Sequence, residues 1–339
     1  MLWVWGVVSV TCPFCQPARI AGAIRLERMN PFDDPEANPF EIANSAASVI
    51  AERTGVKRHD IALTLGSGWA KAADLIGETV ATIKASEVPG FSAPKVVGHL
   101  PTIRSIKLPN GKFALILGAR THYYEGHGVR RVVHGVRTAA AAGAKIMVLT
   151  NGCGGIRETW TDGTPVLISD HINLTADSPL EGAKFVDLTD LYSKRIRDIA
   201  KTVDPGLDEA VYAQFRGPHY ETPAEVRMAK VMGAELVGMS TALEAIAARE
   251  ASMEVLGISL MTNLAAGIQK HPLSHEEVLA AGKAAESRIG ALLAERNPPA
   301  RQRNRPRKIS GNGGRFRDRQ APREGKIHRA IARHARKSF

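Results

Sequence analysis

Residues 129–155 read Val129-Arg-Arg-Val-Val-His-Gly-Val-Arg-Thr-Ala-Ala-Ala-Ala142, then Gly143-Ala144, Lys145-Ile-Met-Val-Leu-Thr150 and Asn151-Gly-Cys-Gly-Gly155. The alanine-rich part predicts a helix closed by Gly143. Lys145–Thr150 predicts a buried strand that ends in a glycine loop. Working outward, the same alternation recurs. Glu41–Arg53 has helical apolar spacing (Ile42, Ala46, Val49, Ile50) and stops at Gly55. Ile61–Leu65 is a short apolar strand running into Gly66-Ser67-Gly68, with a helix opening at Trp69. Strands Val211–Gln214, Glu235–Gly238 and Val255–Thr262 alternate with helices that open on the capping boxes Thr222-Pro-Ala-Glu225, Thr241-Ala-Leu-Glu244 and Ser274-His-Glu-Glu277. Such alternation implies a largely parallel, covered sheet. Thr102–Leu108 and Lys112–Leu117 flank Asn110-Gly111, a hairpin signal that makes the sheet mixed. The expected fold is α/β: a single domain with a twisted mixed, largely parallel central sheet flanked by helices.

The chain has 339 residues, 44% hydrophobic and 23% charged, ordinary for a globular protein. Its formal charge of +11 belongs to one end. Residues 301–339 hold fourteen Lys or Arg against Asp318 and Glu324, which makes this tail +12 and leaves −1 for the rest. The tail has almost no apolar residues before Ile327, so residues 297–339 are expected to be disordered, with weak non-specific nucleic-acid contact through charge alone. Residues 1–30 form an atypical extension. Met1–Val10 is apolar but lacks a basic n-region and is too short for a membrane span, and Met29 offers a second start. The unit 31–296, without internal repeat or linker, is expected to be one domain. Cys12 and Cys15 form a lone Cys-x-x-Cys, and Cys153 stands by itself. With three cysteines there is no disulfide framework, which fits a cytoplasmic setting.

Four apolar strands end in small or polar residues: at Gly66-Ser67-Gly68, at Gly118-Ala-Arg120-Thr-His122-Tyr-Tyr124-Glu125-Gly126, at Asn151–Gly155, and at Gly238-Met239-Ser240. Ligands collect at the strand ends of α/β sheets. Arg120 offers a fixed fork of donors, and Ser67 and Ser240 stand before helix starts, where free N–H groups favour anions. Glycines let the 151–155 backbone approach an oxyanion. Phosphate is the economical ligand. Dinucleotide and P-loop fingerprints fail, and Ser67 lacks a Gly-x-Ser-x-Gly elbow. No His/Cys/Asp spacing suggests a metal.

In order, Gly66-Ser67-Gly68, Arg120-x-His122-x-Tyr124-Glu125-Gly126, Thr150–Gly155, Ser169-Asp-His-Ile-Asn-Leu174, Gly217-Pro-His-Tyr-Glu-Thr222, Gly238-Met-Ser-Thr241 and Thr262-Asn263 resemble the motifs of trimeric, inosine/guanosine-type purine-nucleoside phosphorylases, closest to the actinobacterial branch. The resemblance runs from about Pro31 to Glu295. It implies the nucleoside phosphorylase-like fold and phosphorolysis of inosine, guanosine and their deoxy forms to free base and ribose 1-phosphate, in purine salvage. It further implies a phosphate site of Ser67, His99, Arg120, His122, the Gly152 N–H and Ser240. The nucleoside contacts it implies are Tyr124, Asn151 and Met239 with His275 at the 5′-hydroxyl, Tyr220 beside the purine, and Glu221 and Asn263 on the base edge. Phe185 resembles an aromatic lent by a neighbour in a homotrimer. His122, Glu221 and Asn263 carry catalysis in this reading. Orthophosphate is a co-substrate and no cofactor or membrane is involved. Gly152 and Cys153 depart from the family, which often has alanine there.

Taken singly, the same residues have blander readings: Glu221 complements a helix N-terminus, Asn263 ends a strand, His275 is exposed and Met239 is core. Two rival functions remain. A methylthioadenosine phosphorylase of the same fold usually carries Asp at the position of Asn263. A non-catalytic nucleoside- or nucleic-acid-binding protein would depend on the Arg-rich tail.

Overall fold

Asn38 accepts a hydrogen bond from the Phe40 N–H and Pro39 occupies N1, which starts α1 (Pro39–Thr54); Gly55, at φ 70°, ends it in the left-handed conformation that glycine adopts without strain. In this computed structural model, residues 30–66, 69–92, 101–118, 120–269 and Ala280 are described. After α1 come β1 (Ile61–Thr64), β2 (Glu78–Lys84), β3 (Thr102–Lys107), β4 (Phe113–Leu117), α2 (Gly128–Val132), α3 (His134–Ala141), β5 (Ile146–Gly155), β6 (Pro165–Asn173), α4 (Lys194–Val203), β7 (Asp208–Gln214), α5 (Pro223–Val231), β8 (Leu236–Gly238), α6 (Ala242–Glu250) and β9 (Glu254–Leu264).

β1, β4, β5 and β9 are largely buried on both faces, and their two-residue period divides the core. Ala62, Leu115, Met147 and Leu149 pack on the side of α1, α3 and α6. Ile61, Leu63, Ile116, Ile146, Val148 and Leu256 pack on the other, with Trp69 and the apolar stripe of α4 (Ile196, Ile199, Ala200, Val203). A mixed sheet flanked by helices results, as the alternation predicts. β1 lies parallel between β4 and β5, and the hairpin at Gly111 brings β3 antiparallel to β4. β5 pairs with both β8 and β9, and β8–β7, β7–β6 and β6–β9 complete a ring. The sheet therefore closes on itself through β5, β8, β7, β6 and β9, which hydrophobic patterning does not reveal.

Three local expectations are corrected. The single helix over 129–142 is two, α2 and α3, bent at Val133 (ψ 1°). Val133 is fully buried, and Val133 N–H→Val129 O and Arg137 N–H→Val133 O still bridge the bend. The helix expected at Trp69 is a 3₁₀ turn, Ala70–Leu75. The glycine loop 151–155 is strand: Asn151 to Gly155 pair with Ser259 to Leu264 of β9, with a shift of register between Cys153 and Gly154. Its glycines serve close packing. A Cβ on Gly155 would lie 2.4 Å from the Met261 sulfur, and one on Gly154 would lie 3.1 Å from Val237. Of the three capping boxes, Thr222–Glu225 is fully made. In the second, the Glu244 carboxylate accepts from the Thr241 N–H. The box at Ser274 lies outside the described residues.

Candidate functional site

β4 delivers Arg120 into the interior, where only 4% of it is exposed. A guanidinium so placed needs partners. Its Nε donates to Glu244 Oε2 at 2.8 Å and its Nη1 to the Thr150 carbonyl at 2.7 Å, while Nη2 has no partner among the described residues. The same Glu244 oxygen accepts from the Thr241 N–H at 3.2 Å. Thr241 sits at φ 86°, a conformation costly for a β-branched residue. It is held there from several sides. Asn151 Nδ2 donates to its Oγ1 at 2.9 Å, and Gln214 Oε1 accepts from the next two N–H groups, those of Ala242 (2.7 Å) and Leu243 (3.4 Å). The Ser240 hydroxyl lies 3.3 Å from that of Thr241, and the Ser240 N–H donates to the Tyr212 hydroxyl. Arg120 after β4, Asn151 within β5 and Ser240 after β8 thus belong to one bonded network. Gly66 completes its floor: a Cβ there would strike the Thr150 carbonyl at 2.6 Å, so only glycine lets β1 end against β5.

Beside this network, the His122 and Tyr124 rings stack at 4.8 Å and 13°. His122 Nδ1 lies 3.4 Å from Glu125 Oε1, and the His122 N–H donates to the same oxygen at 2.6 Å. Burial works to raise the Glu125 pKa, but these bonds from His122 outweigh it and hold the carboxyl below its usual range. Burial pushes the Tyr124 hydroxyl up to about 12, with Glu125 adding to the shift. The turn at Gly217 lies against Tyr124 and Met239. A Cβ on Gly217 would lie 3.0 Å from the Tyr124 ring and 2.4 Å from the Met239 sulfur.

Glu221 follows on that turn, 6% exposed, with Oε1 lacking any partner among the described residues. Burial raises its pKa and the Glu225 charge adds to it. Asn263 lies in β9, 7% exposed. The Thr262 hydroxyl donates to Asn263 Oδ1 at 2.9 Å, and Asn263 Nδ2 donates to the Leu264 carbonyl at 2.9 Å. The amide keeps its second N–H and one lone pair of Oδ1 for a ligand. An acceptor poised in Glu221 and a donor in Asn263 suit a planar, polar-edged ligand.

Gly152 stays half-buried within β5. Tyr220 is partly exposed, and Phe185 stands out at 96% exposure. Ser67, His99 and His275 lie outside the described residues. Sequence reasoning missed Glu244, Thr241 and Gln214 as parts of the site. Glu244 registered only as a capping-box glutamate, because the signal that a buried arginine needs an anion emerges only once Arg120 is known to be buried.

The comparisons agree in one direction. The model of the family described as Phosphorylase superfamily matches residues 60–295. A purine nucleoside phosphorylase of Cellulomonas sp is 64% identical over 269 residues, covering 78% of this chain and 95% of the relative. One from Mycobacterium tuberculosis is 56% identical over 262 residues, covering 77% and 97%. Among solved structures, Schistosoma mansoni purine nucleoside phosphorylase in complex with inosine aligns with a TM-score of 0.67 at 30% identity, covering 74% of this chain and 94% of that one.

Proposed function

The chain belongs to the phosphorylase superfamily and within it to the purine nucleoside phosphorylases, and from that premise we propose how its residues carry out phosphorolysis. Orthophosphate sits against the Nη2 of Arg120 and the Ser240 hydroxyl, with Ser67, His99, His122 and the Gly152 N–H completing its contacts. The observation that carries this reading is the buried guanidinium whose other donors are spoken for while Nη2 has no partner among the described residues. Tyr124, Met239, Asn151 and His275 hold the ribose, and Tyr220 lies beside the purine.

The C1′–N9 bond breaks with its electron pair going to the purine, and positive charge builds on the ribose. A phosphate oxygen below the ring attacks C1′, giving ribose 1-phosphate with inversion. Asn263 donates to N7 as the base becomes anionic, a preorganised role worth about 2.7–4 kcal/mol by comparison with oxyanion-hole donors. Glu221 accepts from N1–H, which 6-oxopurines carry and adenine lacks. Asn263, where methylthioadenosine phosphorylases usually hold Asp, favours inosine and guanosine. Phosphate is a co-substrate in this scheme and no cofactor takes part.

Phe185, exposed in the single chain, supports a homotrimer in which it closes a neighbour's pocket. The working unit is residues 31–296, with the basic tail making at most weak contacts with nucleic acid. No helix among the described residues is long and apolar enough to cross a membrane; a cytoplasmic salvage enzyme fits this. Incubation with inosine and phosphate yields hypoxanthine in this scheme, and omission of phosphate nearly abolishes it. Equal release without phosphate would overturn the reading.

A further inference from the structure

We propose that Glu244 is a positioning residue for orthophosphate, aiming Arg120 and fixing the Ser240–Thr241 turn through a single carboxylate oxygen. The inference rests on the phosphate site described above and deepens it. Glu244 is 2% exposed and carries no substrate contact in the scheme. Its Oε2 accepts from Arg120 Nε at 2.8 Å and from the Thr241 N–H at 3.2 Å. The first bond, with Nη1 tied to the Thr150 carbonyl, fixes the plane of the guanidinium and leaves Nη2 as the donor for a ligand. The second holds Thr241 at φ 86°. Relaxation of that turn would swing the adjacent Ser240 hydroxyl away from the direction in which Nη2 points. One oxygen therefore sets the angle between two phosphate donors that approach from different elements, β4 and the start of α6. Gln214 takes the N–H groups of Ala242 and Leu243, so those two donors are already engaged.

Reach and charge make separable predictions. Glu244→Gln keeps an oxygen at the same reach but loses the charge. Glu244→Asp keeps the charge but is one methylene too short to span both donors. Positioning by geometry predicts that Glu244→Asp raises the phosphate KM by about 10- to 100-fold, the scale of one charge-assisted hydrogen bond. The inosine KM and kcat at saturating phosphate should stay within about threefold of wild type, as for a change in binding of one substrate. Glu244→Gln should stay close to wild type in phosphate KM. The phosphate-induced rise in thermal midpoint, read without turnover, should follow the same order. The reverse pattern, with Gln impaired and Asp normal, would mean that Glu244 acts as a counter-charge and would overturn the proposal. Ser240→Ala separates the two levels of the argument. If it raises the phosphate KM and Glu244→Asp does not, only the role of Glu244 falls. If neither moves it, the phosphate site is misassigned and the proposal falls with it.

Discussion

Glu221 is buried with an oxygen that has no partner among the described residues, so it is a source of instability that a purine bound as proposed would relieve. The sign follows from its raised pKa. Below the usual carboxylate range, folded and unfolded chains both hold the proton and nothing is lost. As pH rises through that range the unfolded chain releases its proton first, and the folded state loses stability until its own higher value is passed. Glu221→Gln should therefore raise the thermal midpoint of the ligand-free protein at neutral pH, by about 2–4 °C per kcal/mol relieved, and flatten its pH dependence just above the carboxylate range. It should also lower kcat/KM for inosine by about 100-fold or more. A midpoint that falls at neutral pH would show that the carboxylate is satisfied in the folded protein. Asn263 tests the other edge of the base. In the proposed pose the Asn263 amide donates to N7, so Asn263→Asp replaces that donor with an acceptor. Inosine turnover should drop by about 100- to 1000-fold, the cost of a lost transition-state donor, and some adenosine cleavage should appear. Unchanged preference between the two nucleosides in a spectrophotometric assay would discredit the base-edge assignment.

At the scale of elements, α3 is tied down at its first residue. His134 is buried between the rings of Phe32 and Phe91, and its Nε2 donates to the Pro89 carbonyl at 2.9 Å. Burial lowers its pKa to about 4, with the Pro89 bond opposing and Arg137 reinforcing. Above the ordinary value of 6.5 both states are neutral and full stability is present. As pH falls from 6.5 toward about 4, the unfolded chain takes up a proton that the folded chain refuses, and stability declines. His59, also lowered to about 4 by burial, acts in the same window. Urea midpoints measured from pH 7 to pH 4 should fall steadily, and less steeply in His134→Gln. Equal slopes would show that another group governs acid sensitivity. The strands around these helices were legible because apolar runs such as Ile146–Leu149 admit little else. The extension of β5 was not, since Asn151-Gly-Cys-Gly-Gly155 has the composition of a turn and becomes strand only because neighbours pack where side chains would be. β2 was hidden for a related reason: Glu78–Lys84 is mostly exposed and carries a weak apolar signal. In the candidate site, the residues proposed to face a ligand stand out in the sequence by clustering after strands. The residues that aim them do not, because the Arg120–Glu244 bond joins positions 124 apart in the chain.

For the whole molecule, Phe185 is the most exposed large apolar side chain among the described residues, at 96%. Two surface contacts flank it: Lys184 Nζ pairs with Glu250 at 3.1 Å, and the Arg249 Nε donates to the Asp187 carbonyl at 3.2 Å. Both lie at the end of α6, the helix whose first turn holds the Arg120 network. The proposed insertion of this ring into a neighbour's pocket can be tested by mixing defects. Phe185→Ala should raise the inosine KM, by about 10-fold for a lost aromatic contact, and Asn263→Ala should lower kcat. If each pocket borrows its aromatic from the next subunit, a mixed trimer contains pockets with an intact Asn263 from one chain and an intact Phe185 from the other. Unfolding and refolding the two variants together should then give low-substrate activity greater than the sum of the separately refolded proteins. Strict additivity, in a mixture shown by mass measurement to contain hybrid trimers, would place Phe185 over its own subunit's pocket or over none.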